Sequence, residues 1–276
     1  MTKSSLREYL DTGKSYGRVL PEVSKWMLRQ PLEYRSTDWL HPSEISAHDW
    51  CHRESWFLLN GAKAVRKRPN LQLQNIFDEG HEIHAKWQKR FERMGTLYGK
   101  WSDDPQWELA PEGGFADRNY HEVPLEWPEM RVHGHADGWL VGFGSDLLLE
   151  IKSIGTGTVR LYNPSLLRNS LAETFSQIRS PFSGHIRQAS IYIAILNSMY
   201  ERGEIDRKPP TEMLFIYECK ENQAIKEFVV SYDYSTVEEI FTNAQKILDS
   251  LDPLDCNIAA GGCKKCLPYT EVPSVD

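Results

Sequence analysis

Residues 131–153 read RVHGHADGWLVGFGSDLLLEIKS. Two apolar runs, 131–142 and 146–153, flank Phe143, Gly144 and Ser145, and that spacing suits a β-hairpin. The period of two along a strand puts Glu150 and Lys152 on the same face. If the two runs pair, Asp137 lies beside them, so two carboxylates and an ammonium converge on one sheet face. Hard carboxylate oxygens suit Mg²⁺ or Mn²⁺. The bland alternative is a salt-bridged sheet edge.

Outward from this hairpin the chain alternates. HEVPLEW (121–127) reads as a third strand, and MLFIYEC (213–219) and AIKEFVVSY (224–232) read as two more. GHIRQASIYIAILNSMY (184–200) is a strong amphipathic helix. STVEEIFTNAQKILDSL (235–251) is a helix with a Ser235-x-x-Glu238 capping box. Upstream, Leu71 to Met94 predicts a helix with Phe77, Gly80, His84, Trp87 or Gln88, and Phe91 on one face. HPSEISAHDWCHRESWFLLNG (41–61) begins a helix that Ser43 or Ser46 can cap, and a short helix fits Val23–Leu28. Residues 98–120 read as loop with short strands, and 155–183 as an irregular, partly helical insertion. The order implies an α/β fold, one mixed sheet flanked by helices.

The chain has 276 residues, and at about 150 per domain this means one or two domains. With 40% hydrophobic and 26% charged residues it is an ordinary globular composition, which excludes disordered, collagenous and disulfide-dense classes. No apolar run approaches the roughly 20 residues of a membrane span. The polar start, MTKSSLREYLDTGKSYGRVL, is no signal peptide, so a cytoplasmic protein is expected. The net charge of −7 argues against a broad nucleic-acid surface, because phosphate contact needs Lys and Arg. Locally the balance reverses. Lys63, Arg66, Lys67 and Arg68 cluster, and between Gly155 and Arg187 the basic residues Arg160, Arg168, Arg179 and Arg187 face the single acid Glu173. Either stretch is also consistent with an ordinary solvated surface.

The cysteines are Cys51, Cys219, Cys256, Cys263 and Cys266. An odd count without a secretion signal argues against a disulfide framework. Cys219 sits in an apolar run and reads as a small buried hydrophobe. The last three form C-x6-C-x2-C, one ligand short of a tetrahedral site that the distant Cys51, a histidine or a water could complete. Gly261, Gly262 and Pro268 permit the tight turns that wrap a metal. Spacing alone leaves iron–sulfur and zinc both open.

The D-x12-E-x-K pattern of Asp137, Glu150 and Lys152 resembles the core of the PD-(D/E)xK nucleases. His84 ends a G-x-x-x-H on a helix upstream, and Gln188 and Tyr192 form a Q-x-x-x-Y downstream. One cysteine before the His motif, in CHRESWF, and three after the Q-x-x-x-Y helix complete the resemblance. In that order the motifs resemble the RecB-type iron–sulfur branch, which includes CRISPR-associated Cas-four nucleases, the AddB nuclease domain and phage exonucleases. The resemblance runs from Cys51 to Cys266 and implies one nuclease domain over 46–276, with 1–45 as an extension outside it. Ala136 stands where the superfamily pattern has proline. His133 and His135, which share a strand face with Asp137, are not required by it and read as structural or substrate-near.

The resemblance implies a restriction-endonuclease-like α/β fold and a Mg²⁺- or Mn²⁺-dependent deoxyribonuclease. His84, Asp137, Glu150 and the Ile151 carbonyl would hold the divalent ion. Lys152 would place the attacking water or stabilise the pentacovalent charge, and Gln188 and Tyr192 would orient Lys152 or the phosphate backbone. Cys51, Cys256, Cys263 and Cys266 would bind a [4Fe–4S] cluster that joins the two ends of the domain. Arg66, Lys67, Arg68, Arg160, Arg168, Arg179 and Arg187 would line the DNA path, and Trp56, Trp87 or Tyr162 could stack on bases, although Trp56 and Trp87 read first as core residues. The implied activity is a single-strand-preferring 5′→3′ exonuclease in recombination, repair or CRISPR adaptation. The expected partners are DNA and a helicase, recombinase or CRISPR integrase chain, with no membrane and with an oligomer possible. One rival is a catalytically weak iron–sulfur adaptor that binds DNA; another is a zinc-bound structural protein with a coincidental D…ExK.

Overall fold

The computed structural model describes residues 19–31, 35–65, 68–102, 106–167 and 170–269. They divide into a small unit, residues up to 35 with 65–79, and a large unit, 36–64 with 80 onward. The helices are α1 (Leu20–Arg29), α2 (Pro42–Ile45), α3 (His52–Leu59), α4 (Leu71–Arg93), α5 (Thr156–Tyr162), α6 (Leu171–Ser176), α7 (Ser183–Glu201) and α8 (Ser235–Asp249). The strands are β1 (Leu97–Trp101), β2 (Glu108–Leu109), β3 (Tyr120–His121), β4 (Val123–Trp127), β5 (Val132–Ala136), β6 (Gly138–Phe143), β7 (Ser145–Ile154), β8 (Glu212–Cys219) and β9 (Ile225–Ser231).

The expected α/β architecture is present in the large unit. A seven-stranded mixed sheet runs β2-β1-β6-β7-β8-β9, with β3 also on β1. β6 and β7 form the hairpin read from the sequence, and β7 pairs with β8 in parallel. A parallel pair needs a long crossover, and α5, α6 and α7 supply it. β7 is buried on both faces. Leu147, Leu149 and Ile151 pack toward Ile83 and Phe91 of α4. Leu148 and Ile154 face the larger core with Trp139, Ile191 and Ile195. Glu150 and Lys152 share the parity of Leu148 and Ile154, so they point to the α7 side.

Three expectations change. The run 131–142 is two strands, not one: β5 pairs with β4 as a separate ribbon, and β6 enters the main sheet. The chain switches partners at Asp137. Gly138 opens β6 because a Cβ there would stand 2.9 Å from Leu97 Cδ1 and 3.1 Å from Leu149 Cδ2. The helix expected within 41–61 is α2 and α3, and Cys51 rather than a serine caps α3, its Sγ accepting from Glu54 N at 3.4 Å. The capping box at 235–238 is not formed: Ser235 Oγ donates to Asp233 Oδ2 at 2.7 Å instead.

Among the described residues, no helix is long and apolar enough to cross a membrane. Arg66, Lys67 and Arg168 lie outside the described residues. Leu149→Ala is expected to lower the unfolding free energy by about 2–5 kcal/mol. Val229→Ala, half exposed on β9, should stay within about 0.5 kcal/mol. Urea denaturation of both reads this directly, and equal small losses would show that the β7 face is not close-packed core.

Candidate active site and cysteine quartet

The seam between β5 and β6 places the first carboxylate. The β6–β7 ladder ends at Gly138↔Leu149. Beyond it, the Ile151 amide donates to Asp137 Oδ2 at 2.6 Å in place of a strand carbonyl. Asp137 Oδ1 meets His84 Nδ1 at 3.0 Å. His84 comes from α4, and Gln88, one turn further along, donates through Nε2 to the Asp137 carbonyl (3.0 Å) and to Glu122 Oε1 (3.3 Å). The ribbon register Val123↔Ala136 sets Glu122 opposite Asp137. His84, Glu122 and Asp137 each offer a ligand atom within 4.8 Å of the others.

On β7, Glu150 is almost fully buried and its Oε1 forms an ion pair with Lys152 Nζ. This contact lacks hydrogen-bond geometry, so Glu150 Oε1 has no directed partner. Lys152 Nζ donates to Gln188 Oε1 at 3.3 Å, and Gln188 Nε2 donates to Tyr192 Oη at 2.6 Å. Residues four apart on a helix stack on one face, so α7 delivers both members of that relay. The wall beside Lys152 is aromatic: Tyr162 stacks on Phe182 at 5.3 Å between centroids, and buried His185 shares a hydrogen bond with Tyr217 Oη at 2.5 Å.

Burial raises the cost of every charge here, and the acids divide by their partners. At Asp137 burial pushes the carboxyl up, but the His84 charge and the Ile151 amide outweigh it and hold the pKa below the usual range. At His84 burial works against the imidazolium, and Asp137 outweighs it and raises the pKa. Glu150 goes the other way: burial, then repulsion from Asp137, push it up to about 7 despite Lys152. Glu122 is also raised, by burial and by Asp137. At Lys152 burial favours the neutral amine, but Glu150 and Asp137 together raise its pKa. Three acids that cannot all ionise side by side are the signature of a site short of positive charge. Carboxylate oxygens with one imidazole suit Mg²⁺ or Mn²⁺, so these residues fit a divalent ion.

All the sequence-read residues of this site therefore meet: His84 with Asp137, and Glu150 with Lys152, Gln188 and Tyr192. Two residues went unread for this role, Glu122 and Gln88. Gln88 was visible only as a member of the His84 helix face. Glu122 needed the β4–β5 register, which the turn at 128–131 sets. Of the basic residues, Arg68 donates to the Met27 and Gln30 carbonyls at the end of α1. Arg179 donates to the Ser176 carbonyl. Arg187 Nε donates to the Ser46 carbonyl at 2.8 Å, while its Nη2 is buried without a hydrogen bond. Arg160 is exposed on α5. Trp56 is buried in the core, and Trp87 is stacked on Phe91 with the Arg90 guanidinium over its ring, so neither offers a free face to a base.

A second cluster forms where Cys51 meets residues 256–266. Cys51, Cys256, Cys263 and Cys266 bring four sulfurs within 4.8 Å of one another, and Cys51 Sγ lies 3.9 Å from Cys256 Sγ. Cys219 is buried in β8, as its apolar run implied. Burial pushes the Cys51 thiol up. At Cys256 the amides of Ala259 and Ile258 overcome burial and bring the thiol down to about 6. Four thiols so placed suit a bound metal or metal cluster.

No protein-family model matches this chain, and no curated protein matches it by sequence. Three solved structures align with the chain at low identity. LHK-Exo in complex with dAMP aligns with a TM-score of 0.46 at 13% identity, over 77% of this chain and 87% of that one. The alkaline exonuclease LHK-Exo from Laribacter hongkongensis aligns again at 0.45 and 13%, with the same coverage. SSO0001 aligns at 0.34 and 10%, over 86% and 87%.

The raised pKa of Glu150 fixes two pH effects. Its folded value stands above the unfolded one, so its contribution favours folding at low pH and is lost as pH rises through about 7. A cation needs the ionised form. Mn²⁺ affinity, measured by titration calorimetry, is therefore expected to be about tenfold weaker at pH 6 than at pH 8. Glu150→Gln should reduce that dependence and leave the part due to deprotonation of His84; a wild-type affinity independent of pH would refute the assignment.

Proposed function

We propose that this chain is a PD-(D/E)xK-type deoxyribonuclease that hydrolyses phosphodiester bonds at DNA ends with the help of a divalent ion. The observation that carries this reading is the buried Asp137 carboxylate, fixed by the Ile151 amide and His84, beside a Glu150–Lys152 pair. His84, Asp137, Glu122 and Glu150 are the residues that would hold Mg²⁺ or Mn²⁺. When bound, such an ion polarises the phosphate and acidifies a water.

The other roles fall to side chains already oriented. Lys152 stays protonated and offers its ammonium to the attacking water or to the charge that develops on the phosphoryl oxygens. Gln188 holds the Lys152 amine, and Tyr192 holds Gln188. Gln88 ties Glu122 to the Asp137 backbone, so the acids keep one geometry. Arg160, exposed on α5, is the basic group proposed to meet the DNA backbone, and Tyr162, half-buried beside Phe182, is the aromatic proposed to stack on a base. The resemblance read from the sequence adds single-strand preference, 5′→3′ polarity and a setting in recombination, repair or CRISPR adaptation.

End-labelled linear and circular single-stranded DNA, each with Mn²⁺ or Mg²⁺, test the proposal. Linear DNA should be degraded from the 5′ end and circles spared. Lys152→Ala should slow cleavage by about 10²–10³-fold while DNA binding by gel shift is retained. Cutting of circles would move the reading to an endonuclease. DNA binding without cleavage under every metal condition would replace it with the adaptor reading.

A further inference from the structure

The four thiols report on how many metal ions they surround. A single tetrahedral ion with metal–thiolate bonds of about 2.3 Å sets its sulfurs about 3.8 Å apart. A four-iron cluster places each thiolate on a different iron, pointing outward from the cube. Its sulfurs are then separated by that same distance plus the iron–iron distance. All four sulfurs here lie within 4.8 Å of one another, which leaves about 1.0 Å for two iron nuclei. That is shorter than a carbon–carbon bond, and no iron pair approaches so closely. A two-iron cluster meets the same obstacle, because its two thiolate pairs sit on different irons. Cys51 and Cys256, 3.9 Å apart, match the single-ion spacing.

We propose that Cys51, Cys256, Cys263 and Cys266 hold one tetrahedrally coordinated divalent ion of the zinc type, in place of an iron–sulfur cluster. The surroundings are those of a closed structural site. Backbone amides donate to the sulfurs, Cys263 N to Cys266 Sγ at 3.2 Å and Glu54 N to Cys51 Sγ at 3.4 Å. The four protein ligands complete a tetrahedron and leave no position for a substrate. Around them the terminal segment is fastened to the start of α3. Asn257 accepts from His52 N and donates to the Trp50 carbonyl, each at 2.9 Å, Lys265 pairs with Asp49, and Tyr269 stacks on Phe57. The ion thus staples residues about two hundred positions apart, a closure whose entropic cost it offsets by binding only the folded chain. Zn²⁺ has no redox chemistry, so on this proposal the site does not sense oxidants by electron transfer.

Metal analysis of the full chain, purified anaerobically from cells given both iron and zinc, decides the matter. The expected result is about one zinc per chain, no acid-labile sulfide and no visible absorption. Replacement by Co²⁺ should give the d–d bands of a tetrahedral thiolate site. Cys263→Ser should lose most of the zinc, and its lower Tm should not recover on adding zinc. Iron and acid-labile sulfide in near-equal amounts, with broad visible absorption, would overturn the proposal. So would metal-free protein whose thiols are oxidised. None of these outcomes bears on the nuclease reading, which stands on different residues.

Discussion

The carboxylate of Asp137 does two jobs at one point, and much of the site depends on it. One oxygen takes the Ile151 amide where the β6–β7 ladder stops, and the other meets His84. The chain can therefore leave the β4–β5 ribbon and enter the main sheet without leaving a buried N–H unsatisfied. The same bond aligns β7, and with it Glu150 and Lys152, against α7. A charged group that closes a sheet seam cannot move, so the ligands around it inherit its position. The cost appears on the neighbours: with Asp137 kept ionised, Glu150 and Glu122 are left with raised pKa values. A bound cation would relieve that repulsion and would couple its binding to the stability of the seam.

The cysteine quartet solves a different problem. Residues 256–269 carry little regular structure, only a short 3-10 turn at Leu267–Tyr269. A segment of that kind buries too little apolar surface to order itself. Hydrogen bonds from Asn257, the Lys265–Asp49 pair and the Tyr269–Phe57 stack hold it against residues 49–57. The thiols cap this contact, and Cys51 also caps α3. Thiol cluster and helix start are thus one structural unit.

Much of this was legible in the sequence because the relevant rules are local. Period two put Glu150 with Lys152, and one helical turn put Gln188 with Tyr192. The thiol pattern pointed to a metal centre that gathers Cys51 from far away. What escaped depended on register or distance. The break at Asp137 leaves no local mark, since both halves of 131–142 read as strand. Glu122 became a neighbour of Asp137 only through the β4–β5 register. Arg68 looked like a free cation, yet it binds main-chain carbonyls of α1, a choice that composition cannot show. Ser235 had the spacing of a cap, but Asp233 sits two residues away and captures its hydroxyl. Sequence spacing also says which cysteines meet but not how many metal ions fit between them; that is a matter of ångströms.

The central claim is that the Asp137 carboxylate organises a metal-dependent phosphodiester-cleaving centre. Asp137→Asn keeps the size of the side chain and an oxygen that can still accept from Ile151, but removes the charge. Single-turnover cleavage of end-labelled linear DNA with Mn²⁺, beside circular dichroism to confirm folding, measures the consequence. The account expects a folded variant that has lost cleavage by about 10³-fold or more and binds Mn²⁺ weakly. A folded variant that cleaves at the wild-type rate would contradict it.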